Sequence, residues 1–144
     1  MVVVPIRVVL AEDNTLLREG LARLLERVAD FELVGTAADQ PGVVELVAAQ
    51  VPDVVVTDIR MPPTGTDEGI RIAAELRRTH PTMGVVVLSQ YAEPAYALAL
   101  LEGGSAGRAY LLKERVSEVD DLLEAIRAVA SGGSVIDPKV VEGL

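Results

Sequence analysis

Along the chain, short apolar runs alternate with stretches in which apolar residues recur every third or fourth position. Ile6–Leu10, Glu32–Thr36, Val54–Val56, Val85–Leu88 and Tyr110–Leu112 read as strands. Continuous runs rich in β-branched residues suit strands buried on both faces. Between them, Leu17, Leu21, Leu24, Leu25 and Val28 predict an amphipathic helix from about Thr15 to Val28. Val43, Val44, Leu46 and Val47 predict a second helix, ended by Pro52. Ile70, Ala73 and Leu76 lie on a third, which closes before His80-Pro81, and Pro94–Leu101 forms a fourth, apolar almost all round. Val119, Leu122, Leu123, Ile126 and Val129 make a fifth, ended by Gly132-Gly133.

Alternating strands and helices with short connections imply an α/β fold. It is a doubly wound, five-stranded parallel sheet with helices on both faces. The length of 144 residues fits one domain. Its body is assigned to residues 1–131, and 132–144 read as a C-terminal tail or the start of an interdomain linker.

Composition narrows the function. With one Phe and three Tyr, the core must be aliphatic. A net charge of -9 argues against direct binding of a phosphate backbone, which calls for a basic face. The lack of cysteine removes disulfides and thiolate zinc sites, and the single histidine, His80, gives little support to imidazole chemistry. The apolar opening MVVVPIRVVL is interrupted by Pro5 and Arg7 and is too short for a signal peptide or a membrane span. A cytoplasmic protein with no membrane partner is the expectation.

Chemistry collects where the strands end. The first is followed by Glu12 and Asp13, the third by Asp58, the fourth by Ser89 and the fifth by Lys113, while the second brings only Thr36-Ala37. Taken alone, each has a plain structural explanation: Asp58 or Ser89 capping a turn, Lys113 snorkelling from a strand end. In a sheet of order 2-1-3-4-5, however, strands one and three meet at the topological switch point, where such sheets bind ligands. Two carboxylates about 4 Å apart repel by roughly 4 kcal/mol at an effective dielectric near 20. Three together call for a proton or a cation, and an all-oxygen set prefers a hard ion such as Mg²⁺. Lys113, one of two lysines against eleven arginines, adds an ammonium suited to a phosphate oxygen.

Glu12-Asp13, the block Asp58-Ile59-Arg60-Met61-Pro62, Ser89 and Tyr110-Leu111-Leu112-Lys113, in that order, resemble the receiver domain of bacterial two-component response regulators. The wording is similar to the NarL/LuxR-type branch. The match covers about Ile6 to Ser131. The resemblance implies a flavodoxin-like fold and a Mg²⁺-dependent phosphoacceptor, Asp58, charged by a partner histidine kinase. It implies metal ligation by Glu12, Asp13, Asp58 and the Arg60 carbonyl, and phosphoryl contacts from Lys113 and Ser89. It also implies a switch in which Ser89 moves toward the phosphoryl group and Tyr110 turns inward. Such a domain is no enzyme beyond its own phosphorylation and dephosphorylation. DNA would be reached only through a C-terminal domain that this chain lacks. The fourth helix, with Tyr96, Leu98, Leu100 and Leu101, carries more apolar surface than one face can bury, which leaves a surplus for a partner or a homodimer on activation.

The chain departs from the family in four places. Gly69 stands eleven residues after Asp58, farther than the family usually has it, so Thr64-Gly65-Thr66 looks like an insertion that lengthens and loosens the loop over the site. Gln90 follows Ser89 where a small residue is usual, and would restrict access. Glu114 replaces a common proline after Lys113, which puts a cis peptide there in doubt, and no basic recognition helix follows Gly132. Two other readings stay open: a degenerate receiver serving as a phosphorylation-independent interaction module, and a flavin-binding domain of the same fold, which Glu12-Asp13 would oppose.

Overall fold

The computed structural model describes residues 4–144; Met1–Val3, the start of the apolar opening, lie outside the described residues. In chain order the elements are β1 (Ile6–Ala11), α1 (Thr15–Glu26), β2 (Phe31–Ala37), α2 (Gln40–Gln50), β3 (Val54–Asp58), α3 (Glu68–Thr79), β4 (Gly84–Ser89), α4 (Pro94–Leu101) and β5 (Arg108–Leu112). A 3₁₀ turn (Lys113–Ser117), α5 (Val119–Ala130), β6 (Ser134–Ile136) and α6 (Pro138–Glu142) follow.

All pairings are parallel, and the sheet order is β2-β1-β3-β4-β5-β6. The expected order 2-1-3-4-5 is present, with one strand more than the expected five. The stretch 132–144 is therefore not a loose tail. Ser134, Val135 and Ile136 pair with Arg108, Ala109 and Tyr110 along the free edge of β5.

The sheet divides the core by strand alternation. Val9, Ala11, Val55, Val85, Val87, Tyr110 and Leu112 pack in one cluster with residues of α2, α3 and α4, and with Val140 of α6. Val8, Leu10, Val54, Val56, Val86, Leu88, Ala109 and Leu111 pack in the other with α1 and α5. Every residue of β3, β4 and β5 is buried, which accounts for their unbroken apolar runs. Local chemistry sets the helix ends. Asn14 caps α1 by accepting from Leu17 N at 2.9 Å, and Asp39 caps α2 by accepting from Gly42 N at 2.8 Å. Among the described residues, no helix is long and apolar enough to cross a membrane.

Candidate functional site

The switch point lies between β1 and β3, whose residues pair from Val8↔Val54 to Ala11↔Thr57. Each strand delivers its acid by ending there. After Ala11, Glu12 N donates to Ala37 O at 3.0 Å, which turns the fully buried Glu12 side chain inward, while Asp13 stays exposed. β3 ends at Asp58, only 2% exposed, and Ile59 N donates to Leu88 O at 3.0 Å, fixing the turn behind it. Gly69 sits against this turn: a Cβ there would come within 2.1 Å of the Asp58 carbonyl oxygen, so only glycine fits. Despite its offset in sequence, Gly69 packs directly on the end of β3.

Ligand oxygens of Glu12, Asp13 and Asp58 lie within 4.8 Å of one another. The Lys113 ammonium stands 2.9 Å from Asp58 Oδ1 and 3.1 Å from Glu12 Oε1. It hydrogen-bonds Glu12 and ion-pairs with Asp58, whose two buried oxygens otherwise accept no hydrogen bond of close geometry. Burial raises the Asp58 pKa; the Lys113 ammonium and the Asp13 backbone N–H pull it down less strongly. A buried carboxylate, ion-paired at one oxygen and gathered with two further acids, is a donor set that fits a hard divalent cation. Asp13, Asp58, Arg60, Ser89, Gln90 and Lys113, with Leu88 and Tyr91, line a cleft of about 210 Å³.

The residues named from the sequence thus converge. Tyr110, which the resemblance has turning inward as Ser89 moves, is fully buried. Its hydroxyl donates to Tyr91 O at 2.9 Å and accepts from Glu93 N at 3.3 Å. Ser89 Oγ accepts from Tyr91 N at 3.2 Å, so both proposed switch residues hold the backbone of Tyr91. A correction concerns Thr64-Gly65-Thr66. None of these residues lines the cleft, and the loop is tied down rather than loose. The fully buried Glu68 carboxylate accepts from Thr64 N at 2.6 Å, from Thr64 Oγ1 and from Thr66 N at 3.0 Å, and Tyr96 Oη donates to Thr66 O at 3.1 Å. Burial would raise the Glu68 pKa, but these bonds and its own backbone N–H bring it from 4.5 to about 2. Gln90 is exposed at the cleft's rim and does not close it. Among the described residues the cis peptide is Pro62-Pro63, not the bond after Lys113.

Sequence reasoning passed over Tyr91 and Glu68. Two threonines just ahead of Glu68 offered a signal, because hydroxyls and turn N–H groups satisfy a buried acid. The Arg60 guanidinium lies over the rings of Tyr91 and Tyr96, 5.7 and 5.8 Å from their centroids. No spacing rule on the sequence announced that stack.

Order of strands, carboxylate cleft and flanking ammonium define a class: a flavodoxin-like α/β domain with its acidic chemistry gathered at the switch point. The chain belongs to the response regulator receiver domain family, whose pattern matches residues 8–129. The transcriptional regulatory protein DegU of Brevibacillus brevis is 38% identical over 139 residues, covering 96% of this chain and 56% of its own length. The probable transcriptional regulatory protein NarL of Mycobacterium tuberculosis (strain ATCC 25618 / H37Rv) is 37% identical over 139 residues, covering 96% of this chain and 61% of its own. The chain therefore spans only 56% to 61% of the length of these relatives. Among solved structures, a LuxR-family two-component response regulator from Aurantimonas sp. SI85-9A1 is 28% identical with a TM-score of 0.79, covering 96% of this chain and 94% of its own. The signal receiver domain of the putative response regulator NarL from Mycobacterium tuberculosis is 36% identical with a TM-score of 0.71, covering 86% of this chain and 98% of its own.

Proposed function

We propose that this domain accepts a phosphoryl group on Asp58 from the phosphohistidine of a histidine kinase, in a Mg²⁺-dependent transfer. The observation that carries the reading is the buried Asp58 carboxylate, ion-paired with Lys113 and gathered with Glu12 and Asp13. An Asp58 oxygen attacks phosphorus in line as the P–N bond breaks. An acyl phosphate forms, and the departing imidazole keeps the electron pair. Glu12, Asp13, Asp58 and the Arg60 carbonyl would hold Mg²⁺, which when bound offsets charge on the phosphoryl oxygens. Lys113 is already poised between Glu12 and Asp58, and it pairs with a phosphoryl oxygen while Ser89 turns from Tyr91 N to hydrogen-bond another. Ser89 and Tyr110 both grip Tyr91, so a change at Ser89 reaches Tyr110 through one residue's backbone.

The curated relatives are transcriptional regulatory proteins, and by that likeness the output here is control of transcription through a DNA-binding domain beyond this chain. A homodimer on activation would draw on α4, where Leu98 is 63% exposed. Intact-mass measurement after treatment with acetyl phosphate and Mg²⁺ tests the assignment. Wild type gains one phosphoryl group and Asp58→Asn gains none; labelling that survives in the variant assigns the site elsewhere. An unlabelled wild type with Mg²⁺ present would favour the phosphorylation-independent interaction module.

A further inference from the structure

The C-terminal segment is fastened to β5, which Lys113, the site's ammonium, directly follows. Ile136 pairs with Tyr110, and Asp137 N donates to Tyr110 O at 2.8 Å. The fully buried Asp137 carboxylate accepts from Arg115 Nε and Nη2, each at 3.1 Å, from Lys139 N at 3.1 Å, and from Leu112 N at 3.3 Å. Leu112 immediately precedes Lys113. Beyond it, Val140, 1% exposed, joins the core cluster of Tyr110, Ala97 and Leu100, and Lys139 Nζ pairs with Glu114.

This segment is a three-residue strand and a five-residue helix, too short to persist alone. Its order comes from the pairing with β5, from Val135, Ile136 and Val140 packed against the core clusters, and from the Asp137 carboxylate, which holds Leu112 N next to Lys113. Released, Asp137 would be hydrated by water, so the undocked state is accessible. A phosphoryl oxygen that draws Lys113 off Glu12 pulls on the backbone at Leu112, whose N–H makes the longest of the carboxylate's bonds.

We propose that Ser134–Glu142 is a releasable strap, docked across β5 and α4 while Asp58 is unmodified and loosened when a phosphoryl group occupies the site. This inference rests on the phosphoacceptor reading. The test is hydrogen–deuterium exchange of the whole chain with Mg²⁺, with and without beryllium fluoride as the phosphoryl mimic, while ¹⁹F NMR monitors bound fluoride. With the mimic bound, amides of residues 134–142 should exchange about tenfold faster while those of β3 do not accelerate. In Asp137→Asn the strap should exchange fast without the mimic and gain little from it. A bound fluoride resonance with unchanged strap exchange in wild type overturns the strap alone. No bound resonance overturns the phosphoacceptor reading, and the strap with it.

Discussion

Asp58 and Glu68 stand ten residues apart, at the end of β3 and the start of α3, and both are buried. Glu68 is enclosed by Thr64, Thr66 and Arg71, with its pKa brought to about 2. Asp58 is ion-paired with Lys113 but otherwise accepts no hydrogen bond of close geometry, and its pKa is raised by burial. Equal burial with different partners separates two uses of a carboxylate. The hydrogen-bonded acid holds backbone in place; the other, ion-paired with Lys113, faces the cleft.

Gly69 packs where the two acids are held in register. Gly69→Ala places a Cβ within 2.1 Å of the Asp58 carbonyl and forces backbone apart at both sites. It should cost about 3 kcal/mol, an overpacking of backbone rather than side chain. Urea unfolding checks it, and a midpoint within error of wild type would mean that the α3 junction yields freely.

Glu68→Gln comes next. An amide cannot accept from all of Thr64 N, Thr64 Oγ1 and Thr66 N, so the variant should lose about 2 kcal/mol, the cost of buried donors left unpaired. The pH dependence has a definite sign. The folded-state pKa is depressed, so the stabilisation is present above 4.5 and is lost as pH falls toward about 2. Wild type should therefore lose its advantage over Glu68→Gln across that window, as read by thermal unfolding at each pH. Acetyl phosphate labelling of the folded variant should persist, since Glu68 does not line the cleft.

Much of this arrangement was legible because the site is built from strand ends. Val54-Val55-Val56 before Asp58, and Tyr110-Leu111-Leu112 before Lys113, fix both the strand and the direction in which its last polar residue emerges. Pro94 marked the start of α4, and Pro94–Leu101 is the helix observed. β6 was not legible: Ser134–Ile136 is a strand only because β5 offers it a free edge, a tertiary fact with no local pattern. The Asp137-Pro138 pair did carry a helix-start signal for α6, a capping acid followed by proline. Glu68 was hidden because burial of an acid is decided by the loop that folds over it. The inward Tyr110 ring was hidden because its hydroxyl is fixed by Tyr91 and Glu93, nineteen and seventeen residues away.

The smallest expected effect lies at Asp58, and its sign is opposite to that at Glu68. Burial raises the Asp58 pKa above 3.8, so the contribution of this group is fully present below that value and is lost as pH rises through the folded-state pKa. At neutral pH the ionised carboxylate therefore costs stability, and Asp58→Asn should be more stable than wild type by about 1 kcal/mol. Thermal unfolding at several pH values tests this, and the gap should close as the pH falls through the raised folded-state pKa toward 3.8. Mg²⁺ should narrow it at neutral pH as well, by stabilising wild type through binding to the folded state while leaving the variant nearly unmoved. An Asp58→Asn protein less stable than wild type without metal would mean that the Lys113 ion pair outweighs burial. The two acids would then differ in degree, not in kind.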